Sequence, residues 1–295
     1  MSGPGLRILG SSVVVATAVV SLLGSLAVCA APASAAANPF PRTVTSGFAT
    51  TTGKGFWLAL ANGAVESFGD GRFVGDAESL PLQGPVRGGN AVATGGGYWL
   101  VANDGGVFSY GSARFFGSMG GIRLNQPVFS MASTTSGKGY WLVARDGGVF
   151  SFGDAGFHGS TGGIRLNQPI VGIARYRAGT GYTMVASDGG IFTFGGRRFF
   201  GSLPGIGVNT SDVVGMAQTG NGLGYWIVRR GGQVYAFGNA VAFRPYVASK
   251  CDPVVAIIGN PSQQGFRLVT RSGATIPRGV GVGGRLPIGT PKSCS

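Results

Sequence analysis

Apolar residues in this chain come in short runs that recur on a fixed schedule. The stretch Gly139 to Gly153, GYWLVARDGGVFSFG, sets two such runs on either side of Asp146-Gly147. That dipeptide readily takes the backbone angles of a tight turn, so the stretch predicts a β-hairpin. The phrase returns as GYWLVANDGGVFSYG at Gly97 and GYTMVASDGGIFTFG at Gly181, with weaker copies at Gly55, Gly224 and Gly265. The aromatic after each of these glycines falls at Phe56, Tyr98, Tyr140, Tyr182, Tyr225 and Phe266, with spacings of 42, 42, 42, 43 and 41. A period this regular marks a repeat fold, and the four-stranded propeller blade is a repeat of that length.

Twelve residues ahead of each aromatic another apolar run begins, at Val44, Val86, Val128, Ile170, Val213 and Val254. Pro85, Pro127, Pro169 and Pro253 stand directly before four of these runs, and proline is tolerated at the first residue of a strand. A fourth short run closes the unit, as in Arg114-Phe115-Phe116-Gly117 and Arg198-Phe199-Phe200-Gly201. With the turn centred on Asp146-Gly147, one hairpin face carries Trp141, Val143, Phe150 and Phe152, and the other Tyr140, Leu142, Ala144 and Val149. Both faces are largely apolar, so each hairpin should be covered on both sides. Blades stacked radially meet that demand. The expected fold is all-β, a six-bladed β-propeller of four-stranded antiparallel blades.

The predicted units are residues 44–85, 86–127, 128–169, 170–212, 213–253 and 254–295 within one domain over 38–295. The last unit is degraded: Arg267 replaces the tryptophan, Ile276-Pro277 stands where Phe-Ser stood, and a Gly-rich tail follows. Closure is therefore open at this point, with an open solenoid as the alternative, and residues 38–43 could add a strand to the last blade.

Residues 1–37 differ in kind. Arg7 precedes an uncharged run from Ile8 to Ala31, followed by Pro32-Ala33-Ser34-Ala35-Ala36-Ala37, the layout of a cleaved secretory signal peptide. An uncleaved membrane anchor and lipid attachment at Cys29 are the competing readings. Removing the leader leaves Cys251 and Cys294, an even number suited to an oxidising compartment, and a single disulfide between them is the economical expectation. It would tie the tail to the start of its own unit.

The 23 Lys and Arg against 10 Asp and Glu give a net charge of +13. For a secreted protein this predicts attraction to anionic cell-wall polymers or lipid headgroups before nucleic acid, unless the charge serves solubility alone. The segment GYWLVARDGGVFSFGDAGFHGSTGGIRLNQP resembles the repeat that fills many secreted actinobacterial proteins, described as propeller-like and often attached to cell-wall amidases, peptidases or glycoside hydrolases. The resemblance covers roughly residues 44 to 260 and is most specific in the DGG(V/I)F(S/T)(F/Y)G portion. It implies an accessory role, binding or display, although no catalytic partner accompanies the repeats in this sequence.

Catalytic chemistry is hard to find. The single histidine, His158, shares a column with Val74, Phe116 and Phe200, which marks it as a packing substitute. No nucleophile elbow, Cys-His pairing or metal-spaced cluster occurs, so no catalytic residue, metal site or cofactor is expected. Asp104, Asp146 and Asp188 share the hairpin-turn column; turn chemistry explains them, and a ring of carboxylates for a cation or sugar hydroxyls is the functional alternative. Asp70 and Asp154 read as turn caps. Trp57, Trp99, Trp141 and Trp226 share a strand column that favours interblade packing over carbohydrate binding. The octapeptide GGIRLNQP occurs identically at Gly120–Pro127 and Gly162–Pro169. It places Arg123, Asn125, Arg165 and Asn167 on the face of the hairpin turns, beside Arg145 and Asp146, as a possible ligand face. The expected function is a secreted, monomeric, non-catalytic propeller associated with the cell envelope through anionic glycan or a surface protein. The alternative is a secreted hydrolase acting through channel carboxylates.

Overall fold

The computed structural model describes residues 38–279, apart from 177–179, 197, 262 and 263. The leader and Cys294 lie outside the described residues. All six predicted repeat starts coincide with strand starts. The first unit folds as β1 (Val44–Ala49), β2 (Phe56–Leu60) and β3 (Val65–Phe68), and the second as β4 (Val86–Ala91), β5 (Gly97–Ala102) and β6 (Val107–Gly111). The third and fourth give β7 (Val128–Ser133), β8 (Gly139–Ala144), β9 (Val149–Gly153), β10 (Ile170–Arg175), β11 (Tyr182–Ala186) and β12 (Ile191–Phe194). The last two give β13 (Val213–Gln218), β14 (Gly224–Arg229), β15 (Val234–Gly238), β16 (Val254–Gly259), β17 (Phe266–Thr270) and β18 (Thr275–Arg278). Each triplet is one antiparallel meander sheet. The middle strand of every blade except the edge residue Arg229 is buried throughout, as hairpins covered on both faces require.

The blades have three strands, where four were expected. The fourth run lies in irregular backbone because side chains claim its peptide groups. The indole N–H of Trp99 donates to Arg114 O at 2.8 Å within its own blade. Tyr140 of the next blade accepts from Phe116 N at 3.1 Å and donates to Gly117 O at 2.6 Å. The same pairing of indole and phenol recurs at Trp141 and Tyr182 around Gly156 to Gly159. The run thus stitches one blade to the next, and its N–H and C=O groups do not extend the outer edge of the sheet.

The hairpin register also departs from the expectation. Tyr140 faces Phe152, Leu142 faces Phe150, Trp141 faces Ser151 and Val143 faces Val149. Phe150 and Phe152 therefore share a face with Tyr140, and Val149 shares one with Trp141, the reverse of the sequence assignment. Ala144 N bonds Gly148 O and Gly147 N bonds Ala144 O, with Gly147 at φ +81°. This is a turn carrying one extra left-handed glycine, a bulged hairpin rather than a two-residue one. One residue of slip moves every side chain to the other face.

The ring is closed. The Trp face of each blade packs on the Tyr face of the next: Trp99 and Val101 meet Tyr140 and Leu142, and Trp226 and Val228 meet Phe266 and Leu268. At the seam Val269 of the last blade joins Phe56 and Leu58 of the first. A backbone bond repeats at each junction, from Val86 N to Ala61 O, Val128 N to Asn103 O, Ile170 N to Arg145 O and Val213 N to Ser187 O, each at 2.9 Å. Val254 N to Arg230 O at 3.0 Å continues the series, and Val44 N to Arg271 O at 3.4 Å completes it. The degraded position also contributes, since the buried Arg267 lies over the Phe56 ring at 5.3 Å. Residues 38–43 form no strand; Asn38 donates to Asn62 O and Glu78 O beside the first blade.

Candidate functional site: the central channel

The first strand of every blade lines the axis of the ring, around a cavity of about 1030 Å³. A feature shared by all six blades shapes one end of it. The register between first and second strands shifts between Val44 and Ser46, Val86 and Gly88, Val128 and Ser130, Ile170 and Gly172, Val213 and Gly215, and Val254 and Ala256. The residue bulged out in each blade is Thr45, Arg87, Phe129, Val171, Val214 or Val255, and all six line the cavity. A bulge re-aims its side chain, and here it adds a ring of side chains to the channel wall. The residues after the second strands lie at the same end, since their carbonyls make the junction bonds to the first-strand starts. Arg145, Ser187, Arg230 and Arg271 of that set also line the cavity.

This end is basic. Arg87, Arg145, Arg230 and Arg271 make no side-chain hydrogen bond or ion pair with a described residue, and Arg145 rests over the Phe129 ring at 4.8 Å. Burial lowers the Arg87 guanidinium below its usual range, and the positive charge of Arg145 adds to the effect. Asp212 is the lining carboxylate among the described residues, and it is already engaged, accepting from Arg229 Nε at 2.6 Å and from the Thr210 hydroxyl. Burial works to raise its pKa, but these hydrogen bonds outweigh it and hold the carboxyl below its usual range. Arg175 enters at the opposite end and donates to Thr134 O at 2.8 Å.

Of the residues singled out from sequence, Arg145 reaches the channel. Asp104, Asp146 and Asp188 accept from Gly106, Gly148 and Gly190 N at 2.9, 2.9 and 2.8 Å, each capping its own turn. Among the described residues no three acid, His or Cys side chains converge as a cation site would need. Arg123, Asn125, Arg165 and Asn167 are exposed on the connecting loops outside the channel lining. Those loops do pass the hairpin turns, because Met119 N bonds Gly105 O and Thr161 N bonds Gly147 O. Asp154 accepts from Thr134 at 2.9 Å as a turn cap. His158 packs edge-on against Tyr182 at 5.9 Å. Cys251 is exposed just ahead of β16.

Arg87, Arg230 and Arg271 were missed from sequence. Their signal is columnar: Arg87 stands where the other units have Thr45, Phe129, Val171, Val214 and Val255. A second exposed feature also follows the repeat. Phe73, Phe115, Phe157 and Phe199 are each more than half exposed, one in each of four successive fourth runs.

No family model and no curated protein matches this chain. Among solved structures it is similar to the β-propeller domain of Cps50 (Swd1) from Myceliophteria thermophila, with a TM-score of 0.56 and 12% identity over 81% of this chain and 84% of that one. At that identity the likeness speaks for the propeller fold.

Proposed function

We propose that this chain is a secreted, non-catalytic propeller that binds an anionic cell-envelope polymer, or an acidic surface protein, at the arginine-bearing end of its channel. The observation carrying this reading is the set of Arg87, Arg145, Arg230 and Arg271 around one mouth, with the nearby carboxylate of Asp212 already held by Arg229. A cleft lined by one sign of charge focuses its field and raises the local concentration of the opposite ion. The net charge of +13 extends the attraction over the molecule. Glycoside hydrolysis calls for two carboxylates flanking the bond, and a channel lining with Asp212 as its described carboxylate weighs against the hydrolase alternative. The cleaved leader and the Cys251–Cys294 bridge belong to the same reading. Amino-terminal sequencing of the secreted protein tests the first, and an intact mass lighter by two hydrogens before reduction tests the second. The decisive measurement is pull-down on isolated cell wall. Retention at low salt and release at high salt is expected; absence of retention removes the proposal, and turnover of a glycan substrate would replace it with the enzyme.

A further inference from the structure

The geometry points to a built oxyanion site between Arg87 and Arg145, taking a ligand group with at least two negative charges, such as a phosphate monoester or a dicarboxylate. It rests on the proposal that the arginine-bearing mouth is the binding end, and adds which residues hold the ligand and what chemistry it must have.

Two adjacent blades supply the pair. Arg87 is the bulged residue of β4, turned into the channel by the same register shift that places Phe129 in the next blade. Arg145 follows β8, and its guanidinium is steadied over that Phe129 ring, an arrangement in which the ring face favours the cation. Neither has a carboxylate partner among the described residues; both line one cavity, and the charge of Arg145 acts on the Arg87 guanidinium. A folding role does not account for holding two like charges together in a half-buried wall, because the other five blades fill the Arg87 column with Thr, Phe or Val. Two guanidinium forks facing a common space suit an oxyanion, which can accept several parallel N–H bonds. Arg230 and Arg271 at the same mouth favour a group of more than one negative charge over a single carboxylate.

The test titrates the full secreted chain with inorganic phosphate, malonate and acetate, following heat of binding and the unfolding temperature. Saturable binding of phosphate or malonate is expected, with acetate at least about tenfold weaker. Arg87→Gln should weaken the preferred dianion about tenfold or more while the melting curve without ligand stays two-state. Arg87→Lys, which keeps the charge and loses the fork, should fall between. The double variant Arg123→Gln, Arg165→Gln removes more charge away from the channel and should leave binding unchanged. Equal losses in the two sets of variants, or no saturation by either dianion, would overturn the site. Preference between phosphate and malonate separates phosphoryl from carboxylate ligands. Wall retention of the same variants separates the two proposals. Dianion binding without wall retention keeps this site and removes the envelope reading; wall retention indifferent to Arg87→Gln does the opposite.

Discussion

At the scale of single residues, the repeat uses aromatic side chains as rivets and small ones as clearance. Trp99 and Trp226 are fully buried, yet each finds a carbonyl for its indole N–H, at Arg114 O and Val241 O, both at 2.8 Å. This is the condition on which a tryptophan is buried without penalty. Directly opposite Trp57, Trp99 and Trp141 stand Ser67, Ser109 and Ser151, whose buried hydroxyls have no partner among the described residues. Blade five has Ala236 opposite Trp226, so the column needs small size, not a hydroxyl. Ser109→Ala is therefore expected to leave stability unchanged or raise it by about 1 kcal/mol, since an unpaired buried hydroxyl is a cost. Denaturant titration checks this; a loss of similar size would mean that the hydroxyl is paired.

At the scale of the element, three hydrogen-bonded strands and a stitched fourth run make a blade. The periodicity placed the start of each first strand to the residue and the following hairpin as a whole, because burial on both faces leaves continuous apolar runs punctuated by Pro and Gly. The fourth run looked like a strand for the same reason, its Phe-Phe pair. What decided otherwise was Tyr140 of the neighbouring blade, 24 residues along the chain from Phe116, which no local pattern announces. The hairpin faces were misread through one glycine, Gly147, at which a left-handed residue widens the turn. Trp141 packs against Tyr182 at 5.4 Å and holds Gly156 O, so Trp141→Ala removes both an interblade contact and a stitch. The expected loss is about 3–5 kcal/mol, read as a lower denaturation midpoint. An unchanged midpoint would return that column to the candidate ligand sites.

At the scale of the whole molecule, closure makes every interface internal. Leu58 at the seam and Leu142 inside the array are both fully buried, so Leu58→Ala and Leu142→Ala should cost similar amounts, about 2–5 kcal/mol each. In an open array Leu58 would lie on an end face and its loss would be nearly silent. The ring also sets an alkaline limit. Burial, with Asp76 adding to it, pushes the Tyr98 and Tyr110 phenols up to about 12 from 10.0. Between those values the unfolded chain has lost protons that the folded chain still holds. Stability from this source is complete below pH 10 and is lost as pH rises through about 12. Unfolding temperature measured from pH 9 upward should fall over that window, and Tyr110→Phe should flatten part of the fall.

The sequence by itself determined the repeat, its six copies, the all-β class and the two-sided burial of the hairpins, because these follow from the spacing of apolar runs and turn residues along one chain. It also favoured a turn role for Asp104, Asp146 and Asp188 over a carboxylate ring, since Asp-Gly chemistry is local, and each caps its own turn. Only the tertiary structure decided the three-stranded blades, the hairpin faces, the closed seam and the basic channel mouth. Each of these depends on groups brought together across blades. Arg87 and Arg145 lie 58 residues apart and carry no shared motif. They share one mouth because Arg87 bulges into the channel at the start of β4 while Arg145 follows β8 of the next blade at the same end of the ring.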